Sequence, residues 1–344
     1  MAFDFLGRVN ALSPANLTIR EQVRLAENPN DLRWRAIFPR MEARSIRIRE
    51  LSRVDARFIG GRREWNADGR EIPDVLGALI DAKIVPINPT KHLDEERLQV
   101  LREGARGNSD LFNSDVVMTV DQWATALADA ADRQIERDAF QAWFNNTITV
   151  MDPKTGTTTS VAVGIDTARY VTGSALSAAT SAYVDFMGYL RDARSTLGSV
   201  GAVRMRQSLL NEILADAPAF SGDTMSLRGF NQRIQDEGFG DVQIVIDERT
   251  YHTHTDGGSA YTVANYVPSD RIAFQPAGGR VGYTHFAPVT RAYDYMNPQA
   301  VRNINDFAVF YSAQNDGKTL KVEAQANALS IPEEQNVYVV TALA

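Results

Sequence analysis

The stretch Arg44-Ser45-Ile46-Arg47-Ile48-Arg49-Glu50-Leu51-Ser52-Arg53-Val54-Asp55-Ala56-Arg57-Phe58 sets Arg47, Arg49, Arg53 and Arg57 against Ile46, Ile48, Val54, Ala56 and Phe58 at alternating positions. Successive side chains of an extended strand point to opposite faces, so the stretch reads as a ribbon with one apolar and one guanidinium-rich face. Pro39 before it and Gly60-Gly61 after it mark a projecting hairpin rather than a core strand, with a return strand over Ala82 to Ile87. A lone two-stranded ribbon is not stable in water, so both faces need a partner surface. The four arginines are therefore candidates for contacts between copies of the chain; a solvated face is the alternative.

Around this ribbon the chain is ordinary in bulk. Its 344 residues, 44% hydrophobic and 23% charged, suffice for one large or two modest cores. With no cysteine, disulfides, thiolate chemistry and cysteine-ligated metals are excluded. The N-terminus lacks the order of a signal peptide, and no apolar run approaches the roughly 20 residues of a membrane helix, so a chain kept in water is expected. A net charge of −7 argues against nonspecific nucleic-acid binding. Arginine crowds residues 33 to 70, while lysine is limited to Lys83, Lys91, Lys154, Lys318 and Lys321. Bidentate ion pairing across subunits explains this, and so does a compositional bias toward arginine.

Residues 1–30 read as a polar arm with a short helix around Ile19 to Ala26, followed by an apolar knot of Leu32, Trp34, Ile37 and Phe38. Trp34 and Phe38 are counted among the candidates for contacts between subunits; they anchor the arm to the body or complete the core. Trp65, in the turn-rich Trp65-Asn66-Ala67-Asp68-Gly69, is a further contact candidate on the ribbon. Thr119 with Gln122 matches a capping box, and Trp123, Leu127, Ala131, Ile135 and Ala139 follow at a spacing of four, predicting one helix over 119–146. At 1.5 Å per residue it spans about 42 Å. Its aromatic stripe of Phe140, Trp143 and Phe144 is a core seam rather than a cofactor box.

Helices are expected over Glu95 to Arg102, with Asp94-Glu95-Glu96 at the positive end of its dipole, over Ala178 to Leu197 and over Val203 to Leu214. Strands are expected at 242–246, 261–266, 271–274, 307–311, 318–326 and 337–340. The mixture lacks a βαβ rhythm, so the class is α+β.

No phosphate-binding glycine loop, nucleophile elbow or zinc-helix motif occurs. His252 and His254 form an HxH pair near Asp247, Glu248 and Asp256, a weak candidate metal site, but Asp256-Gly257-Gly258 reads equally as a solvated hairpin tip. No cofactor and no catalytic residue are expected.

The order of parts resembles the Hong Kong 97-type capsid fold of tailed phages, and within it the phage lambda major capsid protein E family. Leu32-Arg33-Trp34-Arg35-Ala36-Ile37-Phe38-Pro39 leading into Arg44 to Leu51, and the terminal Asn336-Val337-Tyr338-Val339-Val340, carry the likeness. It implies an N-terminal arm (1–39), an extended E-loop (40–85), a first part of the P-domain (86–169) containing the spine helix 119–146, an A-domain (170–292) and P-domain return strands (293–344). It also implies hexamers and pentamers in an icosahedral shell around double-stranded DNA, assembled in the host cytoplasm and residing in the virion. Scaffolding and portal proteins and a decoration protein are the implied partners, with no membrane. Some relatives crosslink a loop lysine to a neighbour's asparagine; Lys83 lies at the loop base, so no crosslink is expected. Two other readings stand beside this one. An encapsulin-like nanocompartment shell would carry a cargo enzyme and no DNA. A hydrolase would use Asp247, His252 and Asp256.

Overall fold

The structure, a computed structural model, describes residues 34–43, 47–51, 79–84, 86–104, 109–151, 158–173, 181–216, 226–240, 242–254, 261–289, 300–304, 307–314 and 319–342. Trp34–Ile37 makes one helical turn (α1), and the chain leaves it at Pro39 as the short strand Arg40–Glu42 (β1). Arg47–Leu51 (β2) then pairs antiparallel with Leu79–Lys83 (β3), Arg47 opposite Lys83 and Leu51 opposite Leu79. Over Arg47–Leu51 the strand forms as its alternation predicts, the rest of the 44–58 stretch lying outside the described residues, and the return strand starts at Leu79 rather than Ala82. Pro86–Ile87 (β4) and Thr90–Leu93 (β5) turn away to pair with a later strand. The expected helix at 19–26 lies outside the described residues.

Asp94 caps the helix Glu95–Gly104 (α2), its Oδ1 accepting from Arg97 N at 2.9 Å. The long helix is Ser109–Asn145 (α3), 37 residues, so it begins well before the expected start at Thr119. The capping box is a decoy: Thr119 Oγ1 donates to the Asp115 carbonyl at 2.8 Å, the back-bond of a hydroxyl inside a helix. Ala124, Ala128, Ala131, Ala139 and Ala142 line its buried face, and such small side chains let a strand approach closely. The helix stops at Asn146, whose left-handed φ of 55° suits asparagine. Its side chain donates to Ile165 O at 2.7 Å and accepts from Ile165 N at 3.0 Å.

Thr147–Met151 (β6) and Thr158–Ala162 (β7) form a second two-stranded ribbon, and Tyr170–Thr172 (β8) follows. Ser181 caps Ala182–Leu197 (α4), accepting from Val184 N at 3.3 Å. The helix expected over Val203 to Leu214 is two elements, the strand Val200–Met205 (β9) and the helix Gln207–Asp216 (α5). Val203 and Met205 are buried in one apolar cluster, while Arg204 between them faces the other side of the strand. Leu227–Ile234 (α6) is a helix the sequence reading did not include. The remainder is strand: Gln243–Ile246 (β10), Thr250–His254 (β11), Tyr261–Asn265 (β12), Arg271–Pro276 (β13), Gly282–Ala287 (β14), Ala300–Ile304 (β15), Phe307–Gln314 (β16), Thr319–Pro332 (β17) and Tyr338–Thr341 (β18).

Two larger sheets organise these parts into an α+β arrangement. One has the order β1-β14-β17-β16-β15 with β4 and β5 also on β17, so the 14-residue β17 is its axis, and α3 lies along it. The other runs β10-β9-β13-β18-β8. The last strand therefore sits between β13 and β8. On one face of this second sheet Ile272, Phe274, Tyr338 and Val340 meet α4, α5 and α6 through Phe186, Leu190, Leu210, Ile213 and Phe230. On the other face Ala273 and Val339 join the core built on α3.

A tight contact pins β14 to β17. A Cβ at Gly282 would overlap the Ile331 carbonyl and Pro332 Cα, which belong to backbone and cannot swing aside. Gly282→Ala is expected to cost about 1–3 kcal/mol, read as a lower urea midpoint; an unchanged midpoint contradicts this packing.

Candidate functional site

The ribbon β2/β3 pairs with no third strand among the described residues. Arg47 and Arg49 lie on β2, opposite Lys83 and Asp81. Arg53, Arg57 and Trp65 lie outside the described residues. Two more ribbons stand apart in the same way, β6/β7 and β11/β12. A two-stranded sheet is marginal in water, and each of these two is tied at one side to the body. Arg137 Nη2 donates from α3 to Thr149 O at 2.9 Å and Gln141 Oε1 accepts from Thr149 N at 3.0 Å. On the third ribbon, the Tyr251 ring meets that of Tyr266 in a tilted contact with centres 5.0 Å apart.

Trp34 and Phe38, expected at a contact between subunits, are instead buried in the subunit's own core, 1% and 0% exposed. Trp34 Nε1 donates to Asp132 Oδ1 and Arg35 to Oδ2, both at 3.2 Å, which fastens α1 to α3. These residues complete the core, the other of the two sequence readings.

Among the described residues the histidine cluster assembles no site. His252 is exposed and stands opposite Val263, while His254 stands opposite Tyr261. No group of three or more His, Asp or Glu side chains suited to a metal occurs among the described residues. Asp256 lies outside them. Asp247 is buried and accepts from Arg204 Nη1 at 2.7 Å and from Arg249 Nε and Nη2 at 2.9 and 3.0 Å. Burial works against its charge, but hydrogen bonds and charges from Arg249 and the charge of Arg204 outweigh it and hold the carboxyl below its ordinary pKa. An acid so held is a fixed counter-ion, poorly suited to proton transfer.

This ionic cluster reaches the long helix. Arg249 Nη1 donates to Glu136 Oε1 at 2.6 Å, and Glu136 is 1% exposed. The Arg204 and Arg249 guanidiniums each lie 5.6 Å from the Phe140 ring centre, and Arg249 also lies 5.1 Å from that of Tyr266. Arg271 donates to the Phe144 carbonyl at the C-terminal end of α3, where the last turn has no basic residue of its own. A cation supplied from elsewhere in the chain complements the negative end of the helix dipole. Some of the arginine excess is thus used inside the subunit. Sequence reasoning missed this because the partners are distant in the chain.

One acid on α3 titrates near neutrality. Asp138 Oδ1 accepts from Gln134 at 2.8 Å and from Arg137 Nη2 at 3.1 Å. Burial pushes its carboxyl up from 3.8 to about 6, although the Arg137 charge and the hydrogen bonds from Arg137 and Gln134 pull the other way. A native pKa above the unfolded value means that the folded state holds the proton more tightly. The resulting stability is full below pH 3.8 and is lost as pH rises through about 6. Urea unfolding of the wild type and Asp138→Asn between pH 4 and 8 checks this: their stability difference is expected to drift across that range, and a constant difference contradicts it.

No protein-family model and no curated protein matches the chain. Solved structures do. A candidate capsid protein of an E. coli CFT073 prophage aligns over 93% of this chain and 97% of its own, with a TM-score of 0.54 at 13% identity. The fold is that of phage capsid proteins. The capsid of Myoviridae phage XM1 aligns over 90% of both chains at 12% identity with a TM-score of 0.47. The SrpI encapsulin of Synechococcus elongatus PCC 7942 covers 88% of this chain and 84% of its own at 7% identity with a TM-score of 0.42. With 93% of the chain aligned to the prophage protein, the capsid-protein fold spans nearly the whole chain rather than a module of it. Among the described residues no helix is long and apolar enough to cross a membrane.

Proposed function

We propose that this chain is the major capsid protein of a tailed phage, of the Hong Kong 97 type and nearest to the phage lambda major capsid protein E family. In this reading hexamers and pentamers of the chain close an icosahedral shell around double-stranded DNA. The observation that carries it is the capsid-protein fold aligned over 93% of the chain, with ribbons that pair with no further strand among the described residues. Residues 40–85 are then the E-loop lying over a neighbouring subunit, α3 contains the spine helix of a P-domain over 86–169, and residues 170–292 and 293–344 are the A-domain and the P-domain return. Arg47, Arg49, Arg53, Arg57 and Trp65 are the contact residues on that loop, where a planar guanidinium and an aromatic ring suit a subunit interface.

The partners are other copies of the chain, a separate scaffolding protein, a portal and, on some shells, a decoration protein. The net charge of −7 suits a container whose wall does not hold phosphate while DNA is packed. The role asks for no cofactor and no catalysis. Light scattering of the purified chain tests the reading: masses at multiples of five or six subunits or of whole shells support it, and a concentration-independent monomer opposes it.

A further inference from the structure

Lysine occurs at only five positions in this chain, and at Lys321, near the start of β17, it meets a buried acid. Lys321 Nζ lies 2.6 Å from Glu323 Oε2, and Asn88 Nδ2, from the connection between β4 and β5, donates to Glu323 Oε1 at 2.6 Å. A primary amine and a carboxamide thus share one carboxylate. Two residues apart on a strand, Lys321 and Glu323 point to the same sheet face. Phe310 stands opposite Glu323 on β16 and is 2% exposed, and Glu323 itself is 3% exposed. In such surroundings charge is disfavoured, so passing a proton from the ammonium to the carboxylate, which leaves a neutral amine and a neutral acid, costs less than in water.

We propose that Lys321, Glu323 and Asn88 form a self-modifying site, which joins the Lys321 amine to the Asn88 side chain as an amide within one chain. Glu323 takes a proton from the ammonium, and the lone pair so freed forms the bond from Nζ to Asn88 Cγ. The Cγ–Nδ2 bond breaks as Nδ2 receives the carboxyl's proton and the further proton shed by Nζ. Ammonium leaves, Glu323 is a carboxylate again, and nothing is oxidised or reduced. Glu323 already touches both the nitrogen that attacks and the nitrogen that departs, which is the placement a proton carrier needs. Arginine could not serve at this position, because a guanidinium is not deprotonated in proteins. Asn88 is exposed, so ammonium has a way out. Pro89 follows it and has no backbone N–H, which denies Asn88 the ring closure onto the next peptide nitrogen that competes at other asparagines. The bond ties the β4–β5 connection to β17, the axis of the larger sheet, in a chain with no cysteine for a disulfide.

Mass spectrometry of the purified full chain, intact under denaturing conditions and after digestion, tests this. The expected result is a mass one ammonia below that of the sequence, together with a branched peptide that joins the segments containing residues 88 and 321. Lys321→Arg keeps a cation beside Glu323 but has no amine to give, and its full mass is expected. Glu323→Gln keeps the amine and the amide but loses the proton carrier, and is expected to show the full mass and no branched peptide. A branched peptide formed as readily in Glu323→Gln overturns the role of the acid. The full mass in the unaltered chain after prolonged incubation in the folded state overturns the proposal and leaves a buried ion pair. Loss of ammonia without the branched peptide overturns it as well, since ring closure at another asparagine gives the same mass. The unaltered chain decides the matter if neither variant folds.

Discussion

A chain lacking residues 44–83 is expected to fold, stay soluble and form no closed shells. Arg47 and Lys83 face each other across an antiparallel pair, and residues opposite in such a pair lie about 5 Å apart, so removing the ribbon at its base asks little of the body. The flanking Ala43 packs against the core and Ile84 is buried, and both are retained. The body should lose little stability, because the ribbon belongs to neither large sheet. If the ribbon is the arm proposed above, assembly should fail completely, since a shell multiplies weak contacts and each subunit would lose one of them. Sedimentation and electron microscopy of the deletion check this; normal particles would remove the ribbon from the account of assembly.

Asp247→Ala is expected to lower the stability of the subunit by about 3–5 kcal/mol, the usual cost of leaving buried charge uncompensated. The carboxylate bridges Arg204, whose side chain is 6% exposed, and Arg249, and nothing in alanine replaces it. The effect is acid-sensitive with a definite sign. A native pKa held below the unfolded value contributes stability above that value and loses it as pH falls through the depressed pKa. The gap between wild type and variant should therefore narrow in acid. Urea unfolding reads both effects as a shifted midpoint, and a loss under about 1 kcal/mol at neutral pH would contradict the structural role of this acid.

What the sequence made legible were features written in local periodicity. The alternation of Arg47, Ile48 and Arg49 places a ribbon, and the spacing of four from Trp123 to Ala139 places the second half of α3. The first half was hidden by Ser109, Asp110, Asn113, Ser114 and Asp115, residues that usually mark turns, and by a capping box at Thr119 that does not cap. At Val203 to Leu214 the helical spacing of Leu209, Leu210 and Ile213 was extended backwards over a strand; burial of Val203 and Met205 in one sheet face overrode it. The candidate site divides in the same way. Arg47 and Arg49 could be placed on a strand from sequence, whereas the meeting of Arg204, Asp247, Arg249 and Glu136 is a product of sheet order and was misread at Asp247 as a possible catalytic acid. Trp34 and Phe38 show the limit of composition: an aromatic next to an arm serves an interface or a core equally well until its neighbours are known.

Cryo-electron microscopy of the chain produced alone, and together with the products of the genes beside its own, tests the central claim most directly. The account predicts closed icosahedral shells or capsomer rings, and DNA-filled heads where portal and packaging proteins are present. A monodisperse monomer or dimer under every condition would contradict it, and shells that hold a cargo enzyme and no DNA would replace the phage head with a nanocompartment.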